Sequence, residues 1–185
     1  MINLDELKKS EALRTITIPL VVPSEQEIID NADLDLSFSP LNACYSKPVI
    51  DGQGHSWFEV RLTVEGEDNL PSRKDWFYLI TDNGWLDKAC FSGRGKRVKW
   101  LNTFKNSDMI GGWIKVRLAG RELIDEFSSP DEDTKKYGVV TKEVLKSYGG
   151  DKIYLKKTTK THKDERGIDR DVWLISFPFS RDDKK

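Results

Sequence analysis

Histidine and cysteine are scarce, two of each in 185 residues, and each scarcity removes a class of chemistry. His55 and His162 are the only histidines, and no serine or cysteine stands in a recognisable nucleophile motif beside them. His55, next to Trp57, reads as a loop or strand-start histidine. His162, inside Lys-Thr-His-Lys-Asp-Glu-Arg, reads as part of a solvated hairpin tip. Cys44 and Cys90 form no Cys-x-x-Cys pair, which excludes a disulfide scaffold and a cysteine-built metal site and makes a reducing compartment the default. No apolar run approaches the roughly 20 residues that span a bilayer, and the first residues, MINLDELKKSEALR, lack the apolar stretch of a signal peptide. A cytoplasmic protein without a membrane partner is expected.

Motifs for cofactors and metals are missing as well. Gly52-Gln-Gly54 and Gly93-Arg-Gly95 do not fit a phosphate-cradling loop. The carboxylates of Asp30 to Asp35 and of Asp131 to Asp133 lack the spacing of a calcium loop and read as solvated faces. A nuclease cluster assembled from Asp51, Glu59 and Arg61 would put arginine where lysine is required, so it is rejected. No catalytic residue, metal or cofactor is expected, and the chain is not read as an enzyme.

An excess of charge of either sign is also absent: 30 basic and 31 acidic residues leave a formal net charge of −1. The distribution carries more information than the sum. Lys88 to Lys105 holds six basic residues and no acidic one, whereas Glu122 to Asp133 holds six acidic residues and no basic one. One surface should be positive and another negative. Hydrophobic residues make up 37%, charged residues 33%, and there are six tryptophans, which is the composition of a globular chain with a core and not of a disordered one.

Along the chain, Asn3 to Leu13 suggests a short helix with acids in its first turn. Arg14 to Pro23, rich in β-branched residues and bounded by prolines, suggests a first strand at a sheet edge. Ser24 to Gly54 shows no sustained period and reads as a long excursion with a helical turn near Glu25 to Asp30. Loops of that length in compact domains usually have a function. Trp57 to Val64 alternates as an amphipathic strand. Trp76 to Thr81, Asp82-Asn83-Gly84 and Trp85 to Phe91 form a hairpin signal, because Asn and Gly tolerate the positive φ of a tight turn. Gly112 to Leu118 also alternates and is expected to be a strand. Thr141 to Tyr148, closed by Gly149-Gly150, is a two-turn helix with Thr141 as N-cap. Lys152 to Thr158 and Val172 to Phe179 are the last strands, joined by a tip from Lys160 to Arg170. Six or seven short strands with one or two helices and no βαβ rhythm suggest a mixed antiparallel barrel or sandwich.

The basic segment from Phe91 to Ser107 interleaves cations with Trp100, Phe104, Asn102 and Asn106. Arginine can bridge guanine O6 and N7, asparagine can pair with adenine, and lysine neutralises phosphate without reading sequence. The segment reads either as a nucleic-acid-facing edge or as a basic surface loop with its two aromatics turned into the core.

Four colinear stretches carry a resemblance. They are Ile16-Thr-Ile-Pro-Leu20 followed by Ser39-Pro-Leu-Asn42; Phe77-Tyr-Leu-Ile-Thr-Asp-Asn-Gly84; Asn106-Ser-Asp-Met-Ile-Gly-Gly-Trp-Ile114; and Val140-Thr-Lys-Glu-Val-Leu-Lys-Ser-Tyr-Gly149 with Ile153-Tyr-Leu-Lys156 and Trp173-Leu-Ile-Ser-Phe177. Together they resemble the B3-like DNA-binding pseudobarrel at the C-terminus of phospholipase D-family restriction endonucleases of the NgoFVII/NgoAVII type. The resemblance implies a mostly β (α+β) fold: a seven-stranded open pseudobarrel with one or two short helices and two arms that grip the DNA major groove. It implies a helix or linker over residues 1–13, the B3-like domain over 14–179 and a charged tail over 180–185. It places Ser39, Leu41, Asn42, Tyr45 and Lys47 on an N-arm and Arg94, Lys96, Arg97, Lys99, Trp100, Asn102 and Asn106 on a C-arm, the latter coinciding with the basic segment.

Pro40 and Ala43 depart from the glycine and tryptophan usual at those positions. The acidic stretch Glu122 to Lys136 is an insertion expected to lie away from DNA. The His-x-Lys catalytic motif of such enzymes is absent from the chain. The implied function is sequence-specific binding of double-stranded DNA on behalf of a restriction endonuclease of bacterial or phage type. A nuclease domain or subunit would then be a second partner, and the chain would be either an excised specificity domain or a free-standing reader. The competing readings are a protein-interaction or carbohydrate-binding β-domain without DNA specificity and, with so little histidine, a small hydrolase.

Overall fold

The computed structural model describes residues 2–30, 60–93, 98–124 and 140–178. Seven strands and four short α-helices are formed there, and the chain divides into two compact units. The first comprises Met1–Pro19, Leu62–Ser107 and Lys152–Phe177 and contains the whole sheet. The second comprises Leu20–Arg61, Asp108–Asp151 and Pro178–Lys185.

In the first unit, helix α1 (Leu4–Lys9) is followed by β1 (Ala12–Pro19), β2 (Thr63–Glu65), β3 (Phe77–Thr81), β4 (Leu86–Ser92), β5 (Val98–Thr103), β6 (Lys152–Lys163) and β7 (Asp169–Ser176). Their order in the sheet is β1-β6-β7-β3-β4-β5-β2, curled into an open half-barrel consistent with a pseudobarrel. All pairs are antiparallel except β3 with β7. At the open seam, the Arg14 guanidinium of β1 reaches past the end of β2 to the Glu67 carboxylate (2.6 Å) and the Asp68 carbonyl (2.7 Å). A side-chain bridge thus links the two edge strands.

Every residue of β3 is buried because the sheet is covered on both sides there. Phe77 stacks on Trp173 and Phe91 inside the curl. The alternate residues Tyr78 and Ile80 pack with Val172, Leu174 and Leu7 of α1 on the other face. Asn3 caps α1 by accepting from the Asp5 amide (3.0 Å), and the Lys156 ammonium donates to the carbonyls of Leu7, Lys8 and Ser10 at 2.8, 3.1 and 3.0 Å, closing its C-terminus. The helix is therefore shorter than Asn3 to Leu13, and Ala12 already belongs to β1.

The Asp82-Asn83-Gly84 hairpin forms as expected, with Gly84 at φ +97°. The last hairpin is longer than expected. Its strands reach Lys163 and Asp169, and the tip shrinks because the Asp164 carboxylate accepts from the amides of Arg166 (2.9 Å) and Ile168 (3.0 Å). His162 accordingly sits on β6, half-buried, with its ring 5.3 Å from that of Tyr78.

The second unit holds α2 (Glu25–Asp30), α3 (Met109–Ala119) and α4 (Lys142–Tyr148). Ser24 and Glu27 form a reciprocal capping box at α2: the Glu27 amide donates to Ser24 Oγ (3.1 Å) and the Ser24 amide to Glu27 Oε2 (2.7 Å). Thr141 Oγ1 accepts from the Val144 amide (3.2 Å), and Gly149 closes α4 in the left-handed region at φ +81°. Both features follow the sequence pattern.

Helix α3 overturns the expectation of a strand from Gly112 to Leu118. Ile114, Val116 and Leu118 alternate, yet Val116 is 41% exposed while Trp113 and Lys115, assigned to the opposite face, are buried. The operative spacing is Ile110, Ile114, Leu118 and Met109, Trp113, four residues apart on adjacent helical rows. The helix is buried on so many sides that no polar stripe marks its period. The seventh strand is β5, inside the basic segment that reads in the sequence either as a nucleic-acid-facing edge or as a surface loop. Trp57 to Glu59 lie outside the described residues, and the strand expected from Trp57 is assigned from Thr63.

Candidate nucleic-acid interface

Of the residues placed on the two arms, Ser39, Leu41, Asn42, Tyr45, Lys47, Arg94, Lys96 and Arg97 lie outside the described residues. Lys99, Trp100, Asn102 and Asn106 lie within them. The first three are on β5, and Asn106 follows it in a turn.

Strand β5 is shared between two partners. Thr103, Asn102, Leu101 and Trp100 pair with Ala89, Cys90, Phe91 and Ser92 of β4, whereas Trp100, Lys99 and Val98 pair with Thr63, Val64 and Glu65 of β2. The β4 ladder ends at Ser92 and Trp100, and beyond that pair β5 is held only by β2 among the described strands. There the Lys99 ammonium donates to the Gly93 carbonyl at 2.8 Å. Gly93 itself has φ +141°, and a Cβ on it would stand 2.7 Å from the Val98 carbonyl oxygen. The close approach of the two chains thus requires glycine.

Alternation along β5 separates its side chains. Leu101 is buried on the same side as Lys99, while Trp100 and Asn102, both half-buried, share the other side. At the far end of β5, the buried Asp87 carboxylate accepts from the amides of Lys105 (3.0 Å) and Asn106 (2.9 Å), and Thr103 Oγ1 donates to the Asn106 carbonyl (2.6 Å). This fixes the backbone that carries the exposed Asn106.

Phe104 has a different role from the one its place in the basic segment suggested. Its ring lies 6.4 Å from that of Trp76 and 4.9 Å from the Arg73 guanidinium. Trp76 in turn meets the Lys88 ammonium at 4.7 Å and the Arg170 guanidinium at 4.5 Å. Lys88 pairs with Glu165 at 3.4 Å and Arg170 with Asp164 at 3.0 Å. Desolvation pushes the Asp164 carboxyl up, but the Ile168 amide, the Arg170 guanidinium and the Arg166 amide outweigh it and hold the pKa below the usual aspartate value. Sequence reasoning missed this cation–aromatic cluster because its members come from four separate stretches. The adjacency of Arg73, Lys74 and Trp76 was its only local signal.

Elsewhere, a groove of about 580 Å³ in the second unit is lined by Leu20, Val22 and Leu145 with the exposed Lys142 and Lys146 at its rim. Among the described residues no group of three or more His, Cys, Asp or Glu side chains is placed to hold a metal ion, and no helix is long and apolar enough to cross a membrane. Cys90 is a buried free thiol on β4.

A family model described as the NgoFVII C-terminal B3-like DNA-binding domain matches residues 31–158, more than half of the chain. The chain belongs to this family. The match covers β2 to β5 and most of β6. The B3-like sheet extends further, since β1 pairs with β6 on one side and β7 lies between β6 and β3. No curated protein matches at a significant level. The family is a DNA-binding domain found at the C-terminus of a restriction enzyme, and membership makes DNA the partner class of this domain.

Proposed function

We propose that this B3-like domain, spanning residues 14–179, is a non-catalytic, sequence-specific reader of double-stranded DNA that serves a restriction endonuclease, with the nuclease active site in another domain or subunit. Its two arms enter the major groove. The N-arm, between β1 and β2, presents Ser39, Leu41, Asn42, Tyr45 and Lys47. The C-arm, the connection from β4 to β5 with its flanks, comprises Arg94, Lys96, Arg97, Lys99, Trp100, Asn102 and Asn106.

The observation that carries the reading is the β4–β5 connection. In a family of DNA-binding domains, the segment richest in cations joins two strands whose flanks are tightly fixed, by Lys99 to Gly93 on one side and by Asp87 to residues 105–106 on the other. A fixed base is what side-chain readout requires, because hydrogen bonds to base edges discriminate only when donors and acceptors are held in register.

The test is selection from a randomised duplex library without metal, followed by anisotropy titrations at low and physiological salt. An enriched motif of about four to seven base pairs is the expected result. Salt-sensitive but sequence-blind binding would refute base reading and leave only an electrostatic surface. No binding to duplex DNA would refute the reading altogether and favour a protein or carbohydrate ligand.

A further inference from the structure

We infer that Lys99 is a positioning residue of the C-arm rather than a phosphate contact: its ammonium ties β5 to the carbonyl of Gly93, the residue that follows β4. The inference rests on the C-arm reading above and deepens it. Three observations carry it. Ser92 and Trp100 are the last β4–β5 pair among the described residues, and on its other edge Trp100 pairs with Thr63 of β2. One residue beyond that pair, Lys99 Nζ lies 2.8 Å from the Gly93 carbonyl oxygen. Gly93 is held at φ +141° with its α-carbon so near the Val98 carbonyl that no side chain fits. Gly93 and the start of β5 are therefore held together by a bond from Lys99 and by a close approach that only glycine permits.

Residue placement on β5 agrees. Lys99 lies on the side of the buried Leu101, whereas Trp100 and Asn102 occupy the other side. Gly93 and Val98 are the described residues on either side of Arg94 to Arg97, so they set where that segment begins and ends. Loss of the Lys99 bond loosens Gly93 against β5, and the ordering cost of docking the segment that these residues flank rises. A lysine bound to a carbonyl also has fewer donors to offer a phosphate than its place in a basic run suggests.

The experiment compares the full chain with Lys99→Met, which keeps the aliphatic stem, and Lys99→Arg, which keeps a donor able to reach the carbonyl. Affinity for the selected duplex and for a random duplex is measured across a salt series, and amide hydrogen exchange is followed over residues 92–100 without DNA. The expected result for Lys99→Met is exchange at least several-fold faster in that segment. Affinity for the selected duplex should fall about tenfold, affinity for the random duplex should fall less than about twofold, and the slope of log K against log salt should not change. Lys99→Arg should restore most of each.

Equal loss on both duplexes with a slope reduced by about one would identify a phosphate contact and overturn the inference. Unchanged exchange in Lys99→Met would overturn it independently of any DNA. If the unmodified chain itself shows no preferred sequence, base reading fails instead, and the exchange measurement alone decides the role of Lys99.

Discussion

Replacing Asp87 separates two ways a buried carboxylate can hold a turn. The side chain is 4% exposed, and its oxygens accept from three backbone amides: Lys88 at 2.7 Å, Lys105 at 3.0 Å and Asn106 at 2.9 Å, the last two on the same oxygen. A hydrogen bond to a charged group contributes about 1.5–3 kcal/mol, and a donor left buried without a partner costs a similar amount. Asp87→Ala orphans two amides of the turn after β5, so a loss of about 3–5 kcal/mol is expected. Asp87→Asn keeps one carbonyl oxygen for those two amides and loses the charge, so about 1–2 kcal/mol is expected. Urea unfolding measures both. With a slope of about 2 kcal/mol per molar, the midpoints fall by roughly 1.5–2.5 M and 0.5–1 M at unchanged slope. Equal destabilisation by the two substitutions would refute the reasoning, since it would make the charge the only determinant. A loss below about 1 kcal/mol for the alanine variant would show that solvent satisfies the amides as well as Asp87 does.

Three other perturbations have defined outcomes. Lys156→Met removes the donor shared by three carbonyls at the end of α1 while keeping the packed stem; a loss of about 2–3 kcal/mol is expected, with hydrogen exchange in residues 4–9 accelerated ahead of the sheet. Asp164 has a folded pKa below its ordinary value, so its stabilising contribution is complete above the unfolded value of about 3.9 and is lost as pH falls through the folded one. A carboxyl carbon titration by NMR with a midpoint at or above 3.9 would contradict this, and Asp164→Asn should flatten the acid limb of the stability profile. Gly149→Ala places a Cβ at φ +81° and should destabilise by about 1 kcal/mol, measured by thermal melting, with an unchanged melting point as the contrary result.

The elements legible in the sequence are those whose signals are local. Thr141 and Gly149 mark both ends of α4, Asp82-Asn83-Gly84 marks the hairpin, and β1 follows from its β-branched run. Helix α3 was illegible for a physical reason. Burial of Met109, Ile110, Trp113, Ile114, Lys115 and Leu118 leaves no polar stripe, so Ile114, Val116 and Leu118 mimic a strand. Strand β5 was hidden in the opposite way: Lys99 and Asn102 on it are tolerated because only Leu101 faces the interior fully. The basic segment was visible as composition, but composition does not distinguish Lys99, turned to a carbonyl, or Phe104, set between Trp76 and Arg73, from side chains available to a ligand. Only pairing across β2, β4 and β5 makes that distinction.

Near-neutral net charge limits how such a domain binds a polyanion. With 30 basic and 31 acidic side chains, the long-range field of the whole molecule provides no general attraction to DNA, so association depends on cations gathered on one surface. Each phosphate neutralised steepens the salt dependence by about 0.9 in log–log slope, so the slope counts the cations engaged. If the arms alone bind, Lys47, Arg94, Lys96 and Arg97 set a ceiling of about four. A steeper slope would require a second cationic surface, and the exposed Arg73 and Lys74 beside the Trp76–Phe104 pair have the chemistry to supply one. A shallower slope with retained sequence preference would mean that base contacts and apolar contacts carry the affinity.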